Sequence, residues 1–404
     1  MKMNKKLICI ITIIGMLISG CSSKPNNSKE INGDTEVMEK QKVEISSQNG
    51  EQITLINNIE SKKLERSLEK FKVIKKVANR KRVGIVKPVT RIVVGKDFLI
   101  DKIEANNDID VNDPGAKSQW ALTYTNSNDI WDFIEQKQTV NIAVIDTGVD
   151  YNHPDLKNRV KQDMGYDFVN DDGDAMDDNG HGTHVAGIIS AEANNEEGIV
   201  GVVGNLDVNV IPIKVLDKDG VGYSDTIAKG IEYAVEKGAD IINLSLGGTE
   251  RDEDIEKAVS NALDKGVLVI AAAGNDKRNC DEYTPAGVNG VYTIAASNLL
   301  NRTARFSNFG KSVDITAPGT KILSTVPNGG YEAWDGTSMA APVVSGIAAM
   351  LKAHDPSIDS IKIKEILQTS SKDIMKDGED VLSGYGLIDS KEAFEILTGS
   401  EVEE

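Results

Sequence analysis

Three short segments carry the side chains that transfer of an acyl group requires. In Asn141-Ile142-Ala143-Val144-Ile145-Asp146-Thr147-Gly148-Val149 an apolar run ends on a carboxylate followed by a turn glycine. In Asn179-Gly180-His181-Gly182-Thr183-His184-Val185-Ala186-Gly187 two glycines flank an imidazole at the mouth of a predicted helix. In Gly336-Thr337-Ser338-Met339-Ala340-Ala341-Pro342 a hydroxyl stands at a predicted helix N-terminus, where main-chain N–H groups and the helix dipole favour a developing oxyanion. A serine hydroxyl is a poor nucleophile at neutral pH, so a base must take its proton and later return it to the leaving amine. His181 can do both, and Asp146 can accept a hydrogen bond from the other imidazole nitrogen and fix its tautomer. Each segment alone reads as a buried polar turn. Three such turns in the order Asp, His, Ser do not.

That order and the residues around it resemble the subtilase family over roughly residues 115 to 395. The resemblance implies a serine endopeptidase with the triad Asp146, His181 and Ser338, and His184 as a structural residue of the same helix. It implies an α/β fold: a subtilisin-like doubly wound, mostly parallel sheet with helices on both faces, preceded by a small α+β propeptide-like segment. Asn275, after Ala271-Ala272-Ala273-Gly274, matches the asparagine whose amide faces the oxyanion. Gly220, Val221 and Gly222, with Ser245, Leu246 and Gly247, match the two edges that hold an extended peptide substrate. The primary pocket is expected between these edges and the stretch from Ala272 to Gly274, with Tyr283 near its base. Asp276, Asp281 and Glu282 adjoin that pocket in sequence and predict tolerance for basic or polar side chains.

The resemblance also implies structural Ca²⁺. Asp155 and the loop Asn194-Asn195-Glu196-Glu197-Gly198-Ile199 resemble the family's binding loop, so Asn195 (in preference to Asn194), Glu197 and Ile199 are expected ligands, with Gln119 a third contributor. Hard oxygen donors of this kind suit the ion. A second site is expected in Asp167, Asn170, Asp172 and Asp174, where oxygens recur at short spacing. For both sites the alternative is an acidic solvated loop.

These groups need a scaffold. Beyond Gln119 short apolar runs alternate with amphipathic stretches, as in a doubly wound sheet. The spacing predicts strands at 140–145, 208–215, 240–244, 267–273 and 291–296. It predicts helices starting near His181, Ser224 and Asp252, and a longer one from Ser338 to His354, stopped by Asp355-Pro356. In such a sheet functional groups collect at the carboxyl ends of strands, where these motifs fall.

The N-terminal third reads as an address and a preface. Residues 1–20 form a signal peptide: lysines, an apolar run from Leu7 to Ile18, then Ser19-Gly20. The ending Leu17-Ile18-Ser19-Gly20-Cys21 resembles a bacterial lipobox, which implies lipidation of Cys21 and a membrane anchor; the alternative is an ordinary signal peptide with a chance cysteine. Residues 21–50 lack clustered apolar residues and are expected as a flexible tether. Residues 51–112 regain hydrophobic spacing, with a helix expected around 59–77 and strands at 82–86 and 91–94. By resemblance this segment is a propeptide that blocks the cleft; the alternative is a spacer. The peptidase domain is expected at 113–399.

A chain of 404 residues with 40% hydrophobic content can bury a large core. A formal charge of −18 excludes a nucleic-acid partner, because an acidic surface repels phosphate. Of three cysteines, Cys9 and Cys21 fall in the N-terminal targeting segment, so Cys280 has no intramolecular disulfide partner and is expected to be a bystander. The expected molecule is a monomeric, broad or moderately selective endopeptidase on the outer face of a bacterial membrane, with peptides, proteins and its own propeptide as partners. A protease dedicated to one precursor and a catalytically silent binding protein are the alternatives.

Overall fold

β-Branched strands set the architecture. A computed structural model of the protein describes residues 42–46, 52–56, 81–94 and 109–402. The chain divides into two units, Met1–Lys76 and Val77–Glu404. Within the first, β1 (Lys42–Ser46) and β2 (Gln52–Ile56) form an antiparallel hairpin. The tether expected through residue 50 therefore contains a strand, whose alternation of Val43 and Ile45 with polar residues is a period-2 signal. The leader, Cys21 and the helix expected at 59–77 lie outside the described residues.

The second unit begins with two short strands, β3 (Arg82–Ile85) and β4 (Thr90–Val93), close to the expected positions. Its centre is a seven-stranded parallel sheet in the order β13-β12-β11-β9-β5-β7-β6. These are β5 (Val140–Asp146), β6 (Tyr166–Asp167), β7 (Val208–Lys214), β9 (Ile241–Leu244), β11 (Leu268–Ala272), β12 (Tyr292–Ser297) and β13 (Val313–Pro318). Between β7 and β11 the chain adds β8 (Val221–Tyr223) and β10 (Leu246–Gly247) at the strand ends, and after β13 a hairpin of β14 (Ile322–Val326) and β15 (Gly330–Asp335). The order reverses at β5, first in sequence and interior in the sheet, which opens a crevice at its carboxyl end.

Alternation along β5 shows how both faces are covered. Ile142 and Val144 pack with helices α2 (His181–Ser190) and α5 (Thr337–His354), after a short α1 (Trp120–Tyr124). Ala143 and Ile145 pack on the opposite face with α3 (Ser224–Glu236) and α4 (Glu253–Asp264). Each fully buried Ile or Val contributes about 1.5–3 kcal/mol, so the two faces hold the sheet rigid under the site. The Asp252 carboxylate caps α4 by accepting from Asp254 N and Ile255 N. Two terminal helices, α6 (Ser360–Thr369) and α7 (Ser390–Thr398), complete the unit. Among the described residues no helix is long and apolar enough to cross a membrane.

One strand pair carries an ionisable group. The β12–β13 register shifts between Thr293 and Ile294, and the Asp314 carboxylate takes the Thr293 N–H at 2.8 Å. Burial pushes this carboxyl up to about 6, although Lys364, Thr293 N and Gln368 pull it down. A raised carboxyl favours folding below the usual carboxylate range and loses that contribution as pH rises through about 6. Asp314→Asn, which keeps an acceptor for Thr293, is expected to stabilise the protein by about 1–3 kcal/mol at pH 7.5 and by almost nothing at pH 4. Urea denaturation at the two pH values measures the difference.

Candidate active site

The carboxyl end of β5 and the first turn of α2 bring an acid and an imidazole together. His181 Nδ1 lies 2.8 and 2.9 Å from the two oxygens of Asp146, and both side chains are fully buried. Glycine makes this approach: a Cβ on Gly182 would lie 2.0 Å from the Gly148 carbonyl oxygen and 3.1 Å from Asp146 Cβ. Gly180, before His181, has φ +106°, a backbone state that side chains rarely adopt.

Two residues missed in the sequence hold the pair. Asp177 is buried and accepts five hydrogen bonds: from Thr147 Oγ1, the N–H groups of Asn179, Gly180 and Thr183, and Thr183 Oγ1. It thereby ties the end of β5 to the start of α2. Desolvation pushes its carboxyl up, and the donors oppose that shift. Lys214, at the end of β7, is also buried and donates to Thr147 O, Leu216 O and Asp178 Oδ1. The sequence signal for Asp177 is an Asx turn just ahead of His181-Gly182-Thr183; a buried lysine leaves none.

Ser338 is the second residue of α5, after Gly336 and Thr337. Four residues on, Pro342 has no N–H to give to the Ser338 carbonyl. Ser245 Oγ fills the vacancy at 3.0 Å and in turn accepts from Asn243 Nδ2, so the turn bearing Ser338 is tied to the end of β9. Asn275 follows β11, and its Oδ1 accepts from Thr337 N (2.9 Å) and Oγ1 (3.0 Å). With its oxygen occupied, the amide presents Nδ2 to the cleft, the orientation an oxyanion donor needs.

The cleft holds residues 82–93 of the same unit. β3 lies antiparallel between β8 and β10, pairing Val83 with Gly222, Gly84 with Val221 and Gly247, and Ile85 with Leu246. Ile85 N donates to Gly220 O, and Val86 N to Ser245 O. Ser338 Oγ donates to Val86 O at 2.8 Å, with a longer bond to Ser245 O. Asn275 Nδ2 donates to the next carbonyl, Lys87 O, at 2.9 Å. Ser338 Oγ and Asn275 Nδ2 therefore rest on consecutive carbonyls. Buried His181 Nε2 has no hydrogen-bond partner among the described residues, and the Ser338 hydroxyl is turned to the peptide and away from it. Past Pro88, Val89 N donates to Asp335 O, and β4 continues as a strand on β15.

Residues 137–386, more than half of the chain, match the subtilase family. The chain belongs to the subtilase family. It is 42% identical over 271 residues to the thermophilic serine proteinase of Bacillus sp. (strain AK1), which covers 67% of this chain and 65% of that relative, just under two thirds of its length. It is 39% identical over 252 residues to thermitase of Thermoactinomyces vulgaris, 62% of this chain and 88% of thermitase. A solved protease structure from Pseudoalteromonas arctica superposes with a TM-score of 0.65 at 31% identity, covering 71% of this chain and 99% of that one.

Beside Val86 this subtilase has a cavity of about 350 Å³, lined by Ala272, Gly274, Gly247 and Tyr283 as expected. Of the three acids expected near the pocket, only Asp276 lines it. Asp281 is turned to Ser312, accepting from its N and Oγ, and Glu282 is exposed; the inference of a basic preference loses two of its three supports. Cys280 is buried, its thiol pushed up by desolvation, in keeping with an inert residue.

The residues expected to hold calcium divide into three groups. Asp155 Oδ1 accepts from Asn195 Nδ2, and Oδ2 from Ile199 N and Tyr331 OH, so Asp155, Asn195 and Ile199 are brought together. Glu197 lies in the same loop, its N–H on Asn195 Oδ1. Gln119 does not join them: Val200 N and O occupy both ends of its amide. Asp113 takes that place, accepting from Asn194 N and Asn195 N. Burial first, and for Asp113 also repulsion from Asp155, pushes both carboxyls up. Two desolvated carboxylates satisfied by neutral donors, beside amide and main-chain oxygens, fit a hard divalent cation.

The second expected site does not form. Asp167 accepts from Val169 N, Asn170 N and Asn170 Nδ2, Asp172 from Asp174 N, and Asp174 from Tyr151 OH. These carboxylates close their own turns and do not converge. Among the described residues no group of three or more His, Cys, Asp or Glu could hold a metal.

Asp177→Ala leaves five donors unmatched around the Asp146–His181 pair. It is expected to lower stability by about 2–4 kcal/mol, read from urea denaturation, where a Lys229→Ala control on the exposed face of α3 shifts it by less than about 0.5 kcal/mol.

Proposed function

We propose that this chain is a serine endopeptidase that cleaves extended polypeptides through an acyl-enzyme on Ser338. The observation that carries this reading is the peptide in the cleft: a strand hydrogen-bonded to both edges, with its carbonyls at Ser338 and Asn275. Backbone pairing of this kind gives affinity with little demand on sequence, which supports broad or moderate selectivity. On a productive substrate one carbonyl takes both contacts. Ser338 Oγ adds to its carbon while His181 Nε2 accepts the proton, and Asp146 stabilises the imidazolium. The oxyanion is held by Asn275 Nδ2 and the N–H groups at the start of α5. Collapse breaks the C–N bond, His181 protonates the amine, and water repeats the sequence on the ester.

Residues 82–93 act in this reading as a propeptide-type inhibitor. Splitting the two contacts between Val86 and Lys87 leaves neither carbonyl activated, so the strap is held and cut slowly. A structural calcium ion would be held by Asp113, Asp155, Asn195 and main-chain oxygens of Glu197 and Ile199. Bound there, it would neutralise the two carboxylates and pin the loop to the sheet, with no part in the reaction. The lipobox-like Cys21 supports a lipid-anchored enzyme on the outer face of a bacterial membrane, and the propeptide's removal would release it.

Hydrolysis of casein and of a mixed peptide library by the full chain tests the reading. Wild type is expected to cut both, and Ser338→Ala to lose about a thousandfold or more. Removal of Asn275 as Asn275→Ala is expected to cost about 10²–10³ in turnover. Chelator is expected to lower the melting temperature by several degrees, and Asp155→Ala to abolish that response, in line with the linkage of a bound ion to the folded state. A folded wild type that cuts nothing contradicts the proposal.

A further inference from the structure

The far end of the strap marks a contact that the chemistry at Ser338 does not use. β4 pairs with β15 so that Arg91 stands opposite Trp334 and Thr90 opposite Asp335. The Arg91 guanidinium carbon lies 4.1 Å from the centroid of the Trp334 ring. Trp334 is only 1% exposed. His184 stacks on it at 4.2 Å and 8°, which takes one face of the indole and leaves the other to Arg91. The ring is also held at its edge, Nε1 donating to Glu332 Oε2 at 2.6 Å. It is thus a π surface held on one face and at its edge, with a carboxylate beside it, and its other face meets the part of the strap that runs on past Ser338. His184 is buried and uncharged, because desolvation lowers its pKa far below the ordinary value, so it does not repel a cation on the opposite face.

We propose that the free face of Trp334 is a subsite for a cationic side chain, arginine in first place, on the leaving side of the substrate. The strap fills it with Arg91, four or five residues beyond the peptide bond at Ser338, depending on whether Lys87 or Val86 is counted as the acyl residue. A planar guanidinium lies flat on an indole and is more weakly hydrated than an ammonium, so arginine is favoured over lysine. The chain's net charge of −18 favours cationic partners at longer range. This inference rests on the endopeptidase reading and names the class of substrate it selects.

The test uses the full chain, incubated until casein hydrolysis is steady, and quenched-fluorescence peptides alike except at the fourth or fifth residue past the scissile bond. With Arg at one of these positions, kcat/KM is expected to exceed that of the Ala peptide roughly five- to thirtyfold, with Lys between them and Glu below Ala. Trp334→Leu is expected to remove the Arg advantage while casein is still cut, and Trp334→Phe to keep part of it. Equal rates for Arg, Ala and Glu peptides in wild type overturn the subsite and leave the endopeptidase reading standing, and this comparison needs no variant to fold. An Arg preference that survives intact in active Trp334→Leu also overturns it, since acidic surface charge would then be the cause. Failure to cut casein or any peptide removes the endopeptidase reading itself, and the subsite with it.

Discussion

The hydrogen bond between Asp146 and His181 constrains the rest of this molecule. Both groups are fully buried, and a carboxylate out of water is tolerated only where donors meet it. The helix carrying His181 must therefore sit against the end of β5 at a distance that a single Cβ at residue 182 would prevent. Asp177 supplies five contacts that keep strand end and helix start in register, and Lys214 anchors the same turn from β7. Strand order contributes as well. Because the sheet reverses at β5, the crevice opens where the acid is, and α5 delivers Ser338 to the same place.

The cleft is a pair of unfinished sheet edges. β8 and β10 each have main-chain groups that a third strand can satisfy, and in this structure that strand comes from the chain itself. Val83 and Ile85 are buried with the core that backs α3 and α4, so the strap is held by packing as well as by backbone bonds. What separates it from a substrate is register: Ser338 and Asn275 grip neighbouring carbonyls, and the hydroxyl's proton points to Val86 in place of His181.

Much of this was legible in the sequence, for identifiable reasons. Five strands and four helices of the second unit follow from apolar periodicity, and Asp146, His181, Ser338 and Asn275 stand in local motifs at element ends. The edges 220–222 and 245–247 were readable because small residues mark close backbone approach. Long-range pairings were not readable. Nothing in Arg82-Val83-Gly84-Ile85 reveals that its partners are residues 221–223 and 246–247, and nothing in Pro342 reveals that Ser245 replaces the hydrogen bond it cannot make. Gln119 was expected near Asp155, but Val200 takes its amide and Asp113 stands there instead. The acidic run 167–174 has metal-like spacing in one dimension, yet its carboxylates fold back on their own turns. The hairpin β14–β15, which the periodicity reading passed over, carries Trp334 and, through β15, pairs with β4 of the strap.

In the proposed function, Asp146, His181 and Ser338 form a triad that an internal strand in split register holds off. The most direct measurement is the rate at which a fluorophosphonate labels Ser338 in the full chain, compared between wild type and Ile85→Asp, which places a charge in the apolar seat of the strap. Labelling is expected in both, faster by about tenfold or more in Ile85→Asp, and none in Ser338→Ala. Equal rates in wild type and in a folded Ile85→Asp protein would contradict it, because the strap would then not govern access to the serine.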